Sequence, residues 1–454
     1  MRREDSRVQL VVCLGTFFHI QSVGSISVAL AAIQKEFDAS LAAVQWIGLM
    51  GAIMLSSLSL CAARAGDRFG RRKIFRIGLA LYAAGSGLAA FSASFPQLLA
   101  FRCFMALGLA MSAPMAAAII ASIHEHENRG RALGWLAASV ALGRTTGPTI
   151  GGLILQLWGW RAVFLANGIF GMATCLPLFL ILKGKEERRN VSFDFLGVVS
   201  LLIGFPSLLI ALTLGARFGW DTSGIMPWLG LAAVGMSSFV WRELHARAPL
   251  MNLRYFRNIA LLRAMLSLVL ATLAFYPISI FGPLYLLNAI GISPISVGFA
   301  MATLPFCTTL ISPLSGRLAD RRNPRWVATL GLCVIVLGVF WYARLGEEAT
   351  LVWIVFVLCI LGAGIGLFLP ANEKAAFSTV SSGDYGMLSA MLMAFGTGSG
   401  VLGTTVAVAL VEVAKKSRIG ADAAGFAYDQ QFAFSLLLPL AALAVLLTMV
   451  GKRQ

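Results

Sequence analysis

The sequence predicts an all-α membrane protein: fourteen transmembrane helices, arranged as two six-helix halves with two extra helices between them. Three observations predict it. The 454-residue chain is 58% hydrophobic and only 12% charged, with a mean hydropathy of +0.83, whereas soluble globules carry about 25% charged residues. Its apolar runs repeatedly reach the roughly 20 residues that cross a bilayer as helix. Its basic residues concentrate in every second link between those runs.

The opening stretch "MRREDSRVQLVVCLG" runs straight into the first apolar run without a cleavage signature, and reads as a retained signal-anchor. Spans start near Val8, Ala42, Ile74, Gln97, Ala132 and Arg161, an N-terminal half over 1–190. Two more, near Phe195 and Ile225, occupy 191–257. The last six start near Ala260, Val297, Trp326, Leu351, Gly386 and Phe432 and fill a C-terminal half over 258–454. No link is long enough to fold alone, which argues against soluble catalysis. With the N-terminus inside, the cytoplasmic ends and links hold twenty-seven Lys and Arg residues and the other face seven. A single missed helix would scramble that asymmetry, so it supports the even count and places both termini in the cytoplasm of a cell with this protein in its inner membrane.

The formal charge of +16 therefore follows topology. The basic residues sit in short links, and no nucleic-acid motif accompanies them. Seven cysteines (13, 61, 103, 175, 307, 333 and 359) all fall inside apolar runs without C-x-x-C spacing. They read as small core hydrophobes, with neither disulfide nor metal implied. His124 and His126, in "HEHENRGR", have His-x-His spacing but no further ligands, and read as surface. No nucleophile–base pair, Walker loop or metal cluster supports an enzyme or an ATP-driven pump.

Two stretches carry mechanism. "AARAGDRFGRR" (62–72) ends the second span, and "SGRLADRRNPR" (315–325) ends the tenth with the same Asp-Arg pair, 253 residues later. A repeated signature with six spans on each side is the mark of a transporter built from a parallel duplication. A carboxylate at the end of a helix, followed by arginines across a glycine turn, can pair within the loop and with a neighbouring helix. Asp67 can also favour the positive N-terminus of a facing helix. Such a cluster latches one conformation and releases in the other, so Asp67, Arg68, Gly70, Arg71, Arg72, Asp320 and Arg321 are gating candidates. In "GRTTGPTIGG" (143–152), glycines at four-residue spacing let helices approach closely and Pro148 interrupts the backbone ladder.

"GDRFGRR" resembles the loop 2–3 signature of the major facilitator superfamily, G-x-x-x-D-R-x-G-R-R/K. Gly143, Gly147, Pro148, Gly151 and Gly152 resemble its fifth-helix antiporter motif, and "LLAFRCFMALG" (98–108) its fourth-helix motif built around an arginine. "WGWRAVFLANGIFG" and the middle stretch "FDFLGVVSLL…LTLGARFGWD…PLMNLRYFRN" resemble the fourteen-helix drug:proton antiporters, the EmrB/QacA branch. The resemblance covers almost the whole chain. It implies the major facilitator fold, a cytoplasmic gate held shut in the outward-facing state by Asp67, Gly70 and Arg71, and export rather than uptake. Several positions depart from the pattern. The loop's first glycine is Ala63; the first-helix aspartate is Ser22, in "SVGSISVAL"; the fourth-helix glutamine is Met105; and the ninth-helix glutamine is Leu287, with Asn288 beside it. These losses weigh against polyspecific export of cationic drugs.

Substrate or coupling candidates are His19, Gln21, Arg102, Arg144, Asn288 and Glu373. An intramembrane cation costs at least about 2.5–3.5 kcal/mol unless it faces water or a partner. Backbone carbonyls can satisfy Arg102, whereas nothing in the fifth-helix motif requires Arg144. His19 either packs with a hydrogen bond or carries protons, since a neutral histidine titrates near physiological pH. Glu373 is the acid best placed to reach a cavity. The leading expectation is a secondary active exporter of a small amphipathic compound against proton entry. It needs no cofactor beyond the proton gradient and no nucleic-acid partner; its surroundings are the bilayer, and a monomer is compatible with it. The alternatives are a transporter of an organic anion or anionic lipid held by Arg102 and Arg144, and a membrane sensor that kept the fold and lost coupling.

Overall fold

The computed structural model describes residues 3–123, 126–181, 194–218, 223–245, 253–380, 385–417 and 425–449. Regular structure among them is helical throughout. In order these are α1 (Arg3–Glu36), α2 (Leu41–Phe69), α3 (Arg71–Ala90), α4 (Phe95–Ile123), α5 (His126–Ile181), α6 (Phe195–Phe218) and α7 (Met226–His245). After a short 3-10 turn come α8 (Ile259–Phe275), α9 (Ile278–Asn288), α10 (Pro294–Arg321), α11 (Pro324–Tyr342), α12 (Leu351–Phe377), α13 (Tyr385–Ser417) and α14 (Gly425–Met449). His124 lies outside the described residues, as does the side chain of His126.

Among the described residues, eleven helical segments are long and apolar enough to cross a membrane. One of them, Ala132–Pro177, bends at Gly159 (φ 78°, ψ 177°), where α5 divides into two limbs. The α8–α9 pair counts as one segment, interrupted at Tyr276–Pro277. With the two limbs of α5, and with α3 and α7, each 20 residues and so about 30 Å long, the described residues hold fourteen helical limbs of membrane-spanning length. Side-chain caps start several helices: Ser40 for α2, Asn258 for α8, Asn323 for α11 and Thr350 for α12 each accept a hydrogen bond from a first-turn N–H.

The chain forms two compact units. The first comprises Met1–Asp194 with Ser293–Ala302, and the second comprises Phe195–Ile292 with Thr303–Gln454. In the first, α1 packs along α5, and α3 along α4 and α5. Small residues set these distances, because lipid offers no hydrophobic drive for helices to associate. A Cβ on Gly78 would lie 2.7 Å from the Gly108 carbonyl oxygen. In the second unit, α11 packs on α12, where a Cβ on Gly364 would lie 2.7 Å from Ile335 N. The central pair α6 and α7 also belongs here, joined by Gly204 against Gly235 and by the Ser200 and Ser238 hydroxyls 3.1 Å apart. Outward faces expose Phe104, Trp135, Leu157, Val234 and Phe299, as lipid-facing surfaces do.

Candidate functional site

The fifth-helix motif builds a three-helix joint. A Cβ on Gly143 would lie 2.7 Å from Phe17 O, and one on Gly147 2.5 Å from Gln21 O. One on Gly151 would strike Ser25. The contacts advance together along both chains, so α1 and the first limb of α5 run parallel, as the first and fifth spans of an up-and-down bundle must. Pro148 seats in the gap left by Gly24, its Cδ 2.6 Å from where a Cβ would be. Pro148 and Gly152 also meet the start of α10, whose Pro294 and Gly298 leave no room for a side chain on Gly152. Thr149 Oγ1 donates to Gly298 O at 3.5 Å.

The joint presses α1 against a polar interior. His19 is 3% exposed; its Nδ1 lies 3.0 Å from Ser112 Oγ of α4, and its ring meets Tyr82 edge-on at 4.1 Å between centroids. Its Nε2 is buried without a hydrogen-bond partner among the described residues, as is Gln21 Oε1. Ser22, at the position of the family's aspartate, donates to its own helix at His19 O (2.7 Å). Asn167 reaches Ser25 at 3.2 Å. Gln45 of α2 is fully buried with both amide atoms unmatched among the described residues.

Arg102 is buried against α2: its Nε donates to Ile47 O at 2.9 Å, and Gly51 leaves space beside its guanidinium. Arg144 is exposed, on the stripe of α5 that carries Pro148 and Gly152. Asn288, at the end of α9, and Glu373, on α12, are both exposed.

The loop signature is compact. A single residue, Gly70, joins α2 to α3 at φ 107°, capping α2 through its N–H to Gly66 O (2.9 Å). Only glycine adopts that conformation without strain. Gly66 packs against Met115 of α4 so closely that a Cβ would strike its sulfur. Arg68 is exposed, with its guanidinium 5.4 Å from the Phe69 ring. Arg71 and Arg72 are half-buried at the start of α3. The Asp67 side chain lies outside the described residues. The repeat is built differently. Asn323 caps α11 by accepting from Arg325 N (3.0 Å), Pro324 fills the first helical position, and Asp320 pairs with Lys374 of α12; Arg321 is exposed.

Sequence reasoning missed Tyr82, Ser112, Gln45 and Asn167, whose only signal is polarity inside apolar spans. It also missed Asp429. The last helix begins at Gly425, well before Phe432, and takes Asp429 and Gln430 inside it, 3% and 0% exposed. At the turn between α1 and α2, Glu36 pairs with Arg161, and Trp160 Nε1 donates to it at 2.5 Å. That ties the end of α1 to the Gly159 bend.

Many apolar helices of membrane-spanning length, a repeated Asp-Arg loop signature and a polar interior define a multi-pass membrane transporter, not an enzyme. The model of the Major Facilitator Superfamily matches residues 12–284 and 264–453, and the chain belongs to that family. The chain is 29% identical over 415 residues to the multidrug resistance protein Stp of Mycobacterium tuberculosis, covering 90% of this chain and 76% of that one. It is also 29% identical over 408 residues to the tetracenomycin C resistance and export protein of Streptomyces glaucescens (88% and 75% covered). To the riboflavin transporter RibZ of Clostridioides difficile it is 24% identical over 402 residues (87% and 86%). The resistance-protein relatives agree with the branch that the motifs resemble. A crystal structure of a bacterial homolog of the human lysosomal transporter Spinster, inward-facing and occupied, superposes with TM-score 0.73 at 17% identity, covering 99% of this chain and 97% of that one. That likeness shows the shared fold.

Proposed function

We propose that the protein is a secondary active exporter of the inner membrane, with both termini cytoplasmic, moving a small amphipathic compound outward against proton entry. Two six-helix halves, 1–190 and 258–454, move about the cargo, and 191–257 is an insert between them. The observation that carries this reading is the glycine–proline joint of α5 with α1 and α10, because this motif accompanies export in the family it resembles. Relatives named for resistance and export support the direction; one named for riboflavin supports a small organic cargo more generally. In this reading Asp67, Arg68, Gly70, Arg71 and Arg72 form the cytoplasmic gate, with Asp320 and Arg321 as the weaker counterpart. His19 and Gln21 carry coupling, at the place where the family's aspartate is missing. A second reading, an anionic cargo held by Arg102 and Arg144, is weakened by the hydrogen bond that commits Arg102 to the α2 backbone.

Purified protein in liposomes, with an imposed pH gradient and a mixed panel of cationic and anionic compounds, tests both readings. Gradient-dependent movement of at least one compound is expected. Movement equally fast without the gradient removes the proton from the mechanism.

A further inference from the structure

At one end of the second unit, the starts of α8 and α11 meet the ends of α12 and α14 around a small cavity. Its charged lining is two guanidinium groups, Arg263 and Arg325; the remainder includes Ala264, Ala328, Asn372 and Leu447. Both arginines are half-buried. Among the described residues, neither side chain has a hydrogen-bond or ion-pair partner. The carboxylates nearest in sequence do not serve. Asp320 is held by Lys374, and Glu373 is exposed on α12 and does not line the cavity. Asn372, 2% exposed, spends its amide N–H on Ala264 O at 3.1 Å. Two half-buried cations with no counter-charge among the described residues favour an anionic ligand, and the positive ends of α8 and α11 add to the same potential.

The level of the cavity identifies the anion's class. Trp326, next to Arg325, is exposed with the Arg322 guanidinium 5.3 Å from its ring, and Trp at a helix end marks the membrane–water interface. Ile259 and Leu446 expose apolar surface beside it. Arginine forks match phosphate oxygens, and phosphate is the anion abundant at that depth. We propose that Arg263 and Arg325 bind a phosphate group, that of a phospholipid whose chains lie along the exposed faces of α8, α11 and α14. The site uses no residue of the first unit and is independent of the cargo.

Native mass spectrometry of the purified full-length chain in neutral detergent tests this with three probes: dioleoylphosphatidylglycerol, dioleoylglycerol (the same chains without phosphate) and inorganic phosphate. Phosphatidylglycerol should be retained and dioleoylglycerol not, with R263Q/R325Q weakening retention about tenfold. R317Q, which removes an exposed charge at the same end of α10 outside the cavity, should leave it unchanged. If the double variant does not fold, R325Q alone should lose about threefold. Inorganic phosphate that displaces the lipid at equal concentration would keep the phosphate site and assign it to free phosphate. Equal retention of both lipids, or equal phosphatidylglycerol binding by wild type and the arginine variants, overturns the proposal.

Discussion

Gly147 stands so close to Gln21 that a Cβ on it would come within 2.5 Å of the Gln21 carbonyl oxygen. Phe17, Gln21 and Ser25 step along α1 as Gly143, Gly147 and Gly151 step along α5, so one four-residue period fixes both the distance and the register of the pair. Because the obstructing atoms are backbone, no rotamer change can relieve an added methyl. Gly147→Ala should therefore separate the helices, costing about 1–3 kcal/mol and abolishing or badly slowing transport. Gly134→Ala, where nothing lies within 4 Å, should be as stable as the parent or more so. Thermal unfolding in detergent, alongside liposome transport, compares the two. Equal behaviour would mean that the joint bears no load.

The gate offers a second prediction. Asp67→Asn should abolish or badly slow transport while the protein still inserts, because the reading gives that carboxylate the arginines across a one-residue turn. Gly70→Ala should cost about 1–3 kcal/mol from strain at φ 107°. Asp320→Asn should matter less: its partner is Lys374, and its turn is built on Asn323 and Pro324 in place of glycine and arginine. Surface labelling establishes insertion and liposome flux establishes transport; normal flux with Asp67→Asn would detach the signature from the mechanism.

The spans were legible because hydropathy and charge partition are properties of a segment, needing no knowledge of its neighbours. The turn at Gly70 and the close-packing role of Gly143, Gly147 and Gly151 were legible for a related reason: a glycine's effect is local or periodic. Which way a polar side chain points was not. Helix α4 is apolar on every side, so Arg102 could be read equally as lining a cavity or as satisfied by backbone carbonyls, and the structure shows the bond to Ile47 O of α2. Ser112 and Tyr82 become partners of His19 only once three helices are assembled. Asp429 escaped because the polar run "YDQQ" resembles a link, although it is the first buried turns of α14.

Topology makes a third prediction. Reporter fusions in the links after Arg217, beyond the body of α6, and after Arg254, beyond α7, should report opposite sides of the membrane. The parallel run of α1 and α5 supports the frame but does not fix the count across the insert. Both reporters on one side would mean that α6 and α7 do not each cross.

The sign of the cargo is the riskiest prediction. Arg144 is exposed in the middle of an apolar limb, and an arginine there costs at least about 2.5–3.5 kcal/mol unless it meets water or a partner. In the anion reading that guanidinium faces a water-filled cavity, where low-dielectric walls strengthen its positive potential, and Ser22, whose hydroxyl turns back to His19 O, stands where a first-helix carboxylate would offset it. Neutral or anionic compounds should therefore be carried better than quaternary cations, and Arg144→Ala should weaken the anionic ones most. His19→Ala tests coupling in the same assay. It removes the ring that rests on Tyr82 and Ser112, and if that ring relays protons the dependence of flux on pH should shift, while a packing role predicts lower stability with an unchanged profile. Efficient ethidium efflux that survives Arg144→Ala would end the anion reading and return the protein to the cation exporters that its motifs resemble.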